Sequence, residues 1–289
     1  MATTAAPLPY RPSRLADRGR SIGQYALLIA LSIVFLFPFY IMLRNALSTE
    51  IGITSPDFQW FPLDPQWGNL NELFNNPDVP ILDGMRNSAI IAVSQTVFQM
   101  LFASLAGFGL ARVPSRFQGI VLAFILSTLL IPGAVIFVPK YVLVSHLGWV
   151  NTLQGIIVPD LFSAFSTFMF RQFFLEFPRE LEDAGRVDGL GYFGIYRYLA
   201  VPNAWGITMA LGVLAFIGSW NAFLWPLVIG QNAQAWTLQV DISSYLNAQV
   251  VNLHEIFMGS VVAIAPLVVV FLVMQRWIVE GVKLSGVKG

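Results

Sequence analysis

The chain has 289 residues, of which 56% are hydrophobic and only 11% charged, and its mean hydropathy is +0.68. That composition lies outside the range of soluble globular domains, and a formal net charge of zero denies it the basic face that a nucleic-acid partner needs. With no Cys and only two His, His146 and His254, it lacks a disulfide framework and the usual donors of a zinc or His-based metal site, so no metal ligands are expected.

Residues 1–21 form a basic tail carrying Arg11, Arg14, Arg18 and Arg20. The apolar run 22–43 that follows is too long for a signal-peptide core and has no A-x-A-like exit, so it reads as a retained transmembrane helix. Residues 45–85 are rich in Trp, Pro and Asn and predict an ordered extracytoplasmic cap. Further runs near the 20 or so apolar residues that a bilayer core requires lie at 87–111, 117–138, 152–173, 204–229 and 257–279. The expectation is an all-α membrane protein with six transmembrane helices in one domain, 22–280, followed by a tail, 281–289. A polar, charged island, about 176–203, separates the fourth and fifth runs, and 230–256 forms the last outer loop. No internal repeat is evident, which disfavours a carrier built of inverted halves.

Orientation follows from the basic residues. An inside N-terminus puts thirteen of the sixteen Lys and Arg in cytoplasmic segments, leaving Arg44, Arg86 and Lys140 outside with eight of the sixteen acidic residues. Both termini and the 176–203 island are therefore expected in the cytoplasm.

The island predicts a helix–turn–helix knob. Pro178 suits a helix start, Glu180 and Glu182 favour its N-terminal end, and Gly189 supplies a left-handed stop. A second short helix, about 192–198, leads to Pro202. Asp183-Ala184-Gly185, then Asp188-Gly189, then after nine residues Leu199-x-Val201-Pro202, resembles the EAA loop of ABC-importer permeases, with Asp-Ala-Gly in place of Glu-Ala-Ala. Other segments are similar to the maltose-type carbohydrate branch of those permeases, on its six-helix, MalG-like side. They include Asn87-Ser88, Ala106 to Arg112, Ile131-Pro132, Pro139-x-Tyr141, Arg171-Gln172-Phe173-Phe174, Trp220-Asn221-x-Phe223-x-Trp225-Pro226, and the ending Gly286-Val287-Lys288-Gly289.

The resemblance implies a type I ABC importer permease in a bacterial or archaeal cell membrane. It implies a homologous second permease, two copies of an ATPase that bind ATP and Mg, an extracytoplasmic solute-binding protein, and surrounding lipid. It gives Glu180, Asp183, Ala184, Gly185, Asp188, Gly189, Leu199 and Pro202 to ATPase docking. It gives Gly286, Val287, Lys288 and Gly289 to a second ATPase contact, and Gln231, Asn232, Ala233 and Gln234 to the binding protein. The solute implied is a sugar or related polar compound. No G-x-x-x-x-G-K-[ST] occurs, so energy must arrive from a partner, and the chain itself is expected to be neither enzyme nor cofactor carrier.

Inside the spans, Gln95 and Gln99 either line the path or bond a neighbouring helix, and Asn221 is a candidate path residue. Ala103, Gly107 and Ala111 form a small-residue packing face. Asp160 is the one acidic residue within a span, and the adjacent Pro159 predicts a break that leaves it solvated near the outer end. The alternative of an ion-driven secondary transporter wants several buried ionisable groups. A membrane enzyme wants a cluster of catalytic side chains, and none is found.

Overall fold

The structure is a computed structural model that describes residues 14–246 and 251–286, with side chains described over 21–246 and 251–275. The described residues form helices, turns and loops, and no strand occurs among them. Helix α1 (Arg14–Ala46) begins inside the predicted tail and runs unbroken past Pro38. The cap follows with two short helices, α2 (Glu50–Thr54) and α3 (Gly68–Asn75), and then comes the long helix α4 (Ile81–Arg112). Next are α5 (Gln118–Thr128), α6 (Gly133–His146), α7 (Leu153–Ile157) and α8 (Ala164–Leu175). The polar island folds as α9 (Arg179–Val187), α10 (Tyr192–Ile195), a π-helical turn Tyr196–Ala200, and α11 (Val201–Asn203). The chain ends with α12 (Trp205–Trp220), α13 (Leu224–Ile229), α14 (Leu238–Ser244) and α15 (Leu253–Gly286).

Three helices are long and apolar enough to span a membrane unaided, within α1, α4 and α15, and three bent pairs raise the number to six. The third and fifth spans are interrupted near prolines. The third is two helices, α5 and α6, meeting at 97°. Pro132 lacks the N–H a continuous helix needs and pushes Ile131 out of helical geometry, so α5 stops and α6 restarts at Gly133. The fifth ends at Trp220, and Asn221–Phe223 separate it from α13, where Pro226 has no N–H to give to residue 222. The fourth, α7 with its 3-10 turn followed by α8, bends by 40° next to Pro159.

The packing face read from the sequence joins α4 to α8. Ala103 is fully buried, and a Cβ on Gly107 would stand 2.6 Å from the Cβ of Phe170. Any larger residue would force the two helices apart. By contrast the apolar window of α1 buries nothing within the chain, as expected of a helix with lipid around it.

The cap is ordered around Arg44, which is 5% exposed. Its guanidinium donates to Gln59 O, Asn45 Oδ1 and Gly52 O at 2.9, 2.7 and 3.1 Å and lies 5.1 Å from the Phe58 ring centroid. Asn69 Nδ2 donates to the carbonyls of Ala46 and Ser48, tying α3 to the end of α1. Loop backbone that would otherwise be unsatisfied is thus bonded by side chains.

Candidate functional site: the helical knob and the outer loop

The knob keeps the predicted design. Helix α9 starts after Pro178, with Glu180 and Glu182 in its first turn, where the helix dipole favours anions. It stops at Gly189, whose φ of +82° is accessible to glycine at no steric cost, and Leu190 N–H closes on Gly185 O at 2.8 Å. The second arm runs from α10 through the π turn into α11 and bends by 75° into α12.

Glu180, Asp183, Ala184, Asp188, Gly189 and Pro202 are exposed, as are the apolar Val187 and Phe193, at 89% and 72%. Gly185 differs from the role expected of it. It is buried within the knob, and a Cβ there would meet Leu199 Cδ1 at 2.8 Å. Its small size, and the half-buried Leu199, close α9 on the second arm rather than shaping the outer surface.

The sequence reading missed what anchors this knob. Arg112, last residue of α4, is buried against Glu182 of α9, with Nε 3.0 Å from Oε1 and side chains 7% and 8% exposed. The Nε–H points to Phe174 O at 2.7 Å, so the carboxylate is held by charge rather than by an aligned hydrogen bond. The same guanidinium donates to Phe177 O. One side chain therefore joins α4, the end of α8 and the buried face of the knob. Ser104 Oγ and Tyr196 Oη, 2.7 Å apart, clip the π turn to α4, and Phe108, Phe170, Phe174 and Ile195 fill the space between. The available signal was a lone Arg closing a transmembrane helix and an acidic residue in an amphipathic segment.

At the opposite end of α4, the loop after α13 is fastened down. Asn87 Nδ2 donates to Gln234 O and Trp236 O, each at 2.9 Å, and Leu238 N–H donates to Ser88 Oγ. Asn232 caps a 3-10 turn, Ala233–Ala235, and its N–H donates to Asn151 Oδ1 at 3.1 Å. Gln231, Asn232 and Gln234 are left exposed, with Ala233 half-buried. Beneath the loop Asp241 is fully buried with both carboxylate oxygens unpartnered. Burial, and then the nearby Asp83, push its pKa up to about 7.

Both intramembrane glutamines bond a neighbouring element. Gln95, 4% exposed, donates to Ile156 O and Ile157 O, and Gln99 donates to Asp160 O at 2.6 Å. Asp160 ends the 3-10 turn beside Pro159, where the expected break falls, and its side chain is 43% exposed. Gln99 stands near the middle of the apolar run 87–111, so Asp160 is level with the middle of α4. Its carboxylate is bound by Lys140 Nζ of α6 at 2.8 and 2.7 Å. Asn221 is exposed at the break after α12, accepting from Gln239 at 3.4 Å. Gly286 ends α15, and Val287, Lys288 and Gly289 lie outside the described residues. Among the described residues no group of three or more His, Cys, Asp or Glu is placed to hold a metal.

Known proteins share this arrangement. A crystal structure of a bacterial ABC transporter involved in import of the acidic polysaccharide alginate superposes with a TM-score of 0.80. It covers 93% of this chain and 99% of the other at 19% identity, and so establishes the fold. In sequence the chain is 34% identical over 267 residues to the lactose transport system permease protein LacG of Rhizobium radiobacter, covering 92% of this chain and 96% of that one. It is 31% identical over 261 residues to the arabinooligosaccharides transport system permease protein AraQ of Bacillus subtilis, covering 90% and 92%. It is 30% identical over 269 residues to the sn-glycerol-3-phosphate transport system permease protein UgpE of Brucella abortus, covering 90% and 94%. The binding-protein-dependent transport system inner membrane component family matches residues 80–284, from the start of α4 almost to the end of α15, and with the knob, the broken spans and the anchored loop in place the chain belongs to that family.

Proposed function

We propose that this chain forms half of the translocation path of an ATP-driven, binding-protein-dependent importer for a sugar or related polar solute. The other half comes from a homologous permease. Two ATPase copies, holding ATP and Mg, dock beneath, and a solute-binding protein delivers from outside. The observation that carries this reading is the knob, a rigid and exposed surface on a buried ionic anchor that reaches the long helix α4. The names of the relatives support the solute class, and the fold of the alginate importer supports the assembly.

In this reading the basic segments place both termini and the knob in the cytoplasm. Asp183, Ala184, Asp188 and Gly189, flanked by Glu180 and Pro202, meet the ATPase, while Gly185 and Leu199 hold the knob together. The tail from Gly286 to Gly289 makes a second ATPase contact. The fixed turn Gln231–Gln234 meets the binding protein, and Gln99 and Asn221 lie along the path. Closure of the ATPases around ATP moves the knobs together and shifts the helices from inward-open to outward-open. Such a shift is as large as the difference in docking energy between the two states allows.

The test is purification of the chain from its native membrane, as wild type and as Asp183→Arg with Gly189→Trp. Uptake of lactose, arabinotriose and glycerol 3-phosphate is followed in parallel. An ATPase and a second permease co-purify with the wild type, and the double variant loses at least 90% of solute-coupled ATPase activity and uptake. A chain that purifies alone, with uptake indifferent to the double variant and to loss of any ATPase, contradicts the reading.

A further inference from the structure

The Lys140–Asp160 pair takes no part in the knob or the outer loop. Its two bonds, 2.7 and 2.8 Å, are bidentate on the carboxylate, and Lys140 Nζ also stands 4.0 Å from the Trp225 ring centroid. Gln99 holds the Asp160 carbonyl near the middle of α4. The three contributing segments each adjoin a helix interruption: α6 follows the break at 129–132, Asp160 ends the 3-10 turn before α8, and Trp225 lies on α13 after the break at 221–223. Yet the pair is not sealed. Its side chains remain 21% and 43% exposed.

Charged groups at bilayer mid-depth face the bundle interior or water, because an exposed charge against hydrocarbon is strongly unfavourable. Irregular backbone is tolerated at that depth only where it lies against protein or lines an aqueous cavity. In transporters, interrupted helices at the midplane are where solute sites are built. The open side of this pair therefore calls for a polar neighbour. The chemistry suits hydroxyls: Lys140 occupies one bond on each carboxylate oxygen, each oxygen keeps a lone-pair direction free, and the ammonium has a third N–H. Phe162, two residues on and 50% exposed, offers an apolar face of the kind a sugar ring covers.

We propose that Lys140 and Asp160 line the aqueous path at mid-membrane and are a contact point for a hydroxylated solute, with Trp225 and Gln99 fixing their positions. The proposal rests on the permease reading above. Because the pair is neutral as a unit, it is suited to hydrogen-bonding a passing solute rather than to carrying an ion.

The chain has no Cys, so a single introduced thiol is unambiguous. Asp160→Cys is combined with Lys140→Ala, so that no lone charge remains, and examined in the assembled transporter in membranes. The probe is the membrane-impermeant reagent sodium (2-sulfonatoethyl)methanethiosulfonate, applied without nucleotide and after trapping with ATP and vanadate. Labelling in at least one state, to half or more of that after denaturation, is expected. An assembled complex that labels in neither state, but fully once denatured, overturns the proposal and places the pair in a sealed contact between subunits. Separately, Asp160→Asn is expected to raise the uptake KM at least 10-fold for whichever of the three test solutes the wild type transports, and an unchanged KM overturns the solute contact. If the knob variant fails to uncouple transport, the permease reading fails instead, and the labelling result stands on its own.

Discussion

Arg112→Met is expected to lower the stability of the assembled transporter by about 3–5 kcal/mol, the range for breaking a buried ion pair from one side. The substitution leaves Glu182 charged and 8% exposed with no cation, and it strips the carbonyls of Phe174 and Phe177 of their donor. Glu182→Gln is expected to cost less, because Gln keeps the shape and leaves the guanidinium its backbone partners. The double variant Arg112→Met, Glu182→Met removes both charges and is expected to recover at least half of the single-variant loss. Thermal unfolding of the four proteins, with solute-coupled ATPase alongside, separates a structural strut from a bystander. If Arg112→Met melts with the wild type, the anchor carries no weight in the fold.

The second large effect is a dependence on pH. Asp241 titrates at about 7 in the folded chain against 3.8 for an ordinary Asp, because burial and then Asp83 oppose its charged form. The folded state therefore holds a proton that the unfolded chain has released between about pH 4 and pH 7, so stability falls as pH rises through that window and levels off above it. The loss is on the order of 4 kcal/mol. The groups around the carboxyl offer no compensation: Gly84 of α4 lies against it with no side chain, and Asp83, Tyr245 and Glu255 bring no positive charge. Asp241→Asn is expected to flatten the profile and to melt above the wild type at pH 8. Parallel slopes for the two proteins between pH 5 and pH 8 are the result that counts against it.

Much of this fold was legible because a bilayer imposes a simple rule on sequence. Runs of about 20 apolar residues must be helices, and basic residues mark one side of the membrane. The knob was legible for a different reason: Pro178, the acidic first turn and Gly189 are local signals that act within a few residues. What escaped was whatever depends on two distant segments meeting. The 97° turn between α5 and α6 is set where Pro132 falls relative to helices packed beside it, and hydropathy averaged over a window cannot see it. Lys140 and Asp160, 20 residues apart, each look misplaced alone and become a pair only when the broken helices bring them to 2.7 Å. Arg112 and Glu182 are separated by 70 positions and four α-helices, and Gly185 turned out to face inward for want of any sequence sign of where Leu199 would pack.

The most direct test of energy coupling through the knob is site-specific photocrosslinking in the assembled transporter. A benzophenone is attached to Val187→Cys, 89% exposed at the end of α9 in the native chain, and in a second protein to Trp60→Cys in the cap, 60% exposed. Coupling through the knob requires an adduct between Val187→Cys and the ATPase subunit and none from the cap position. An ATPase adduct from the cap, with none from the knob, contradicts both the coupling role and the orientation.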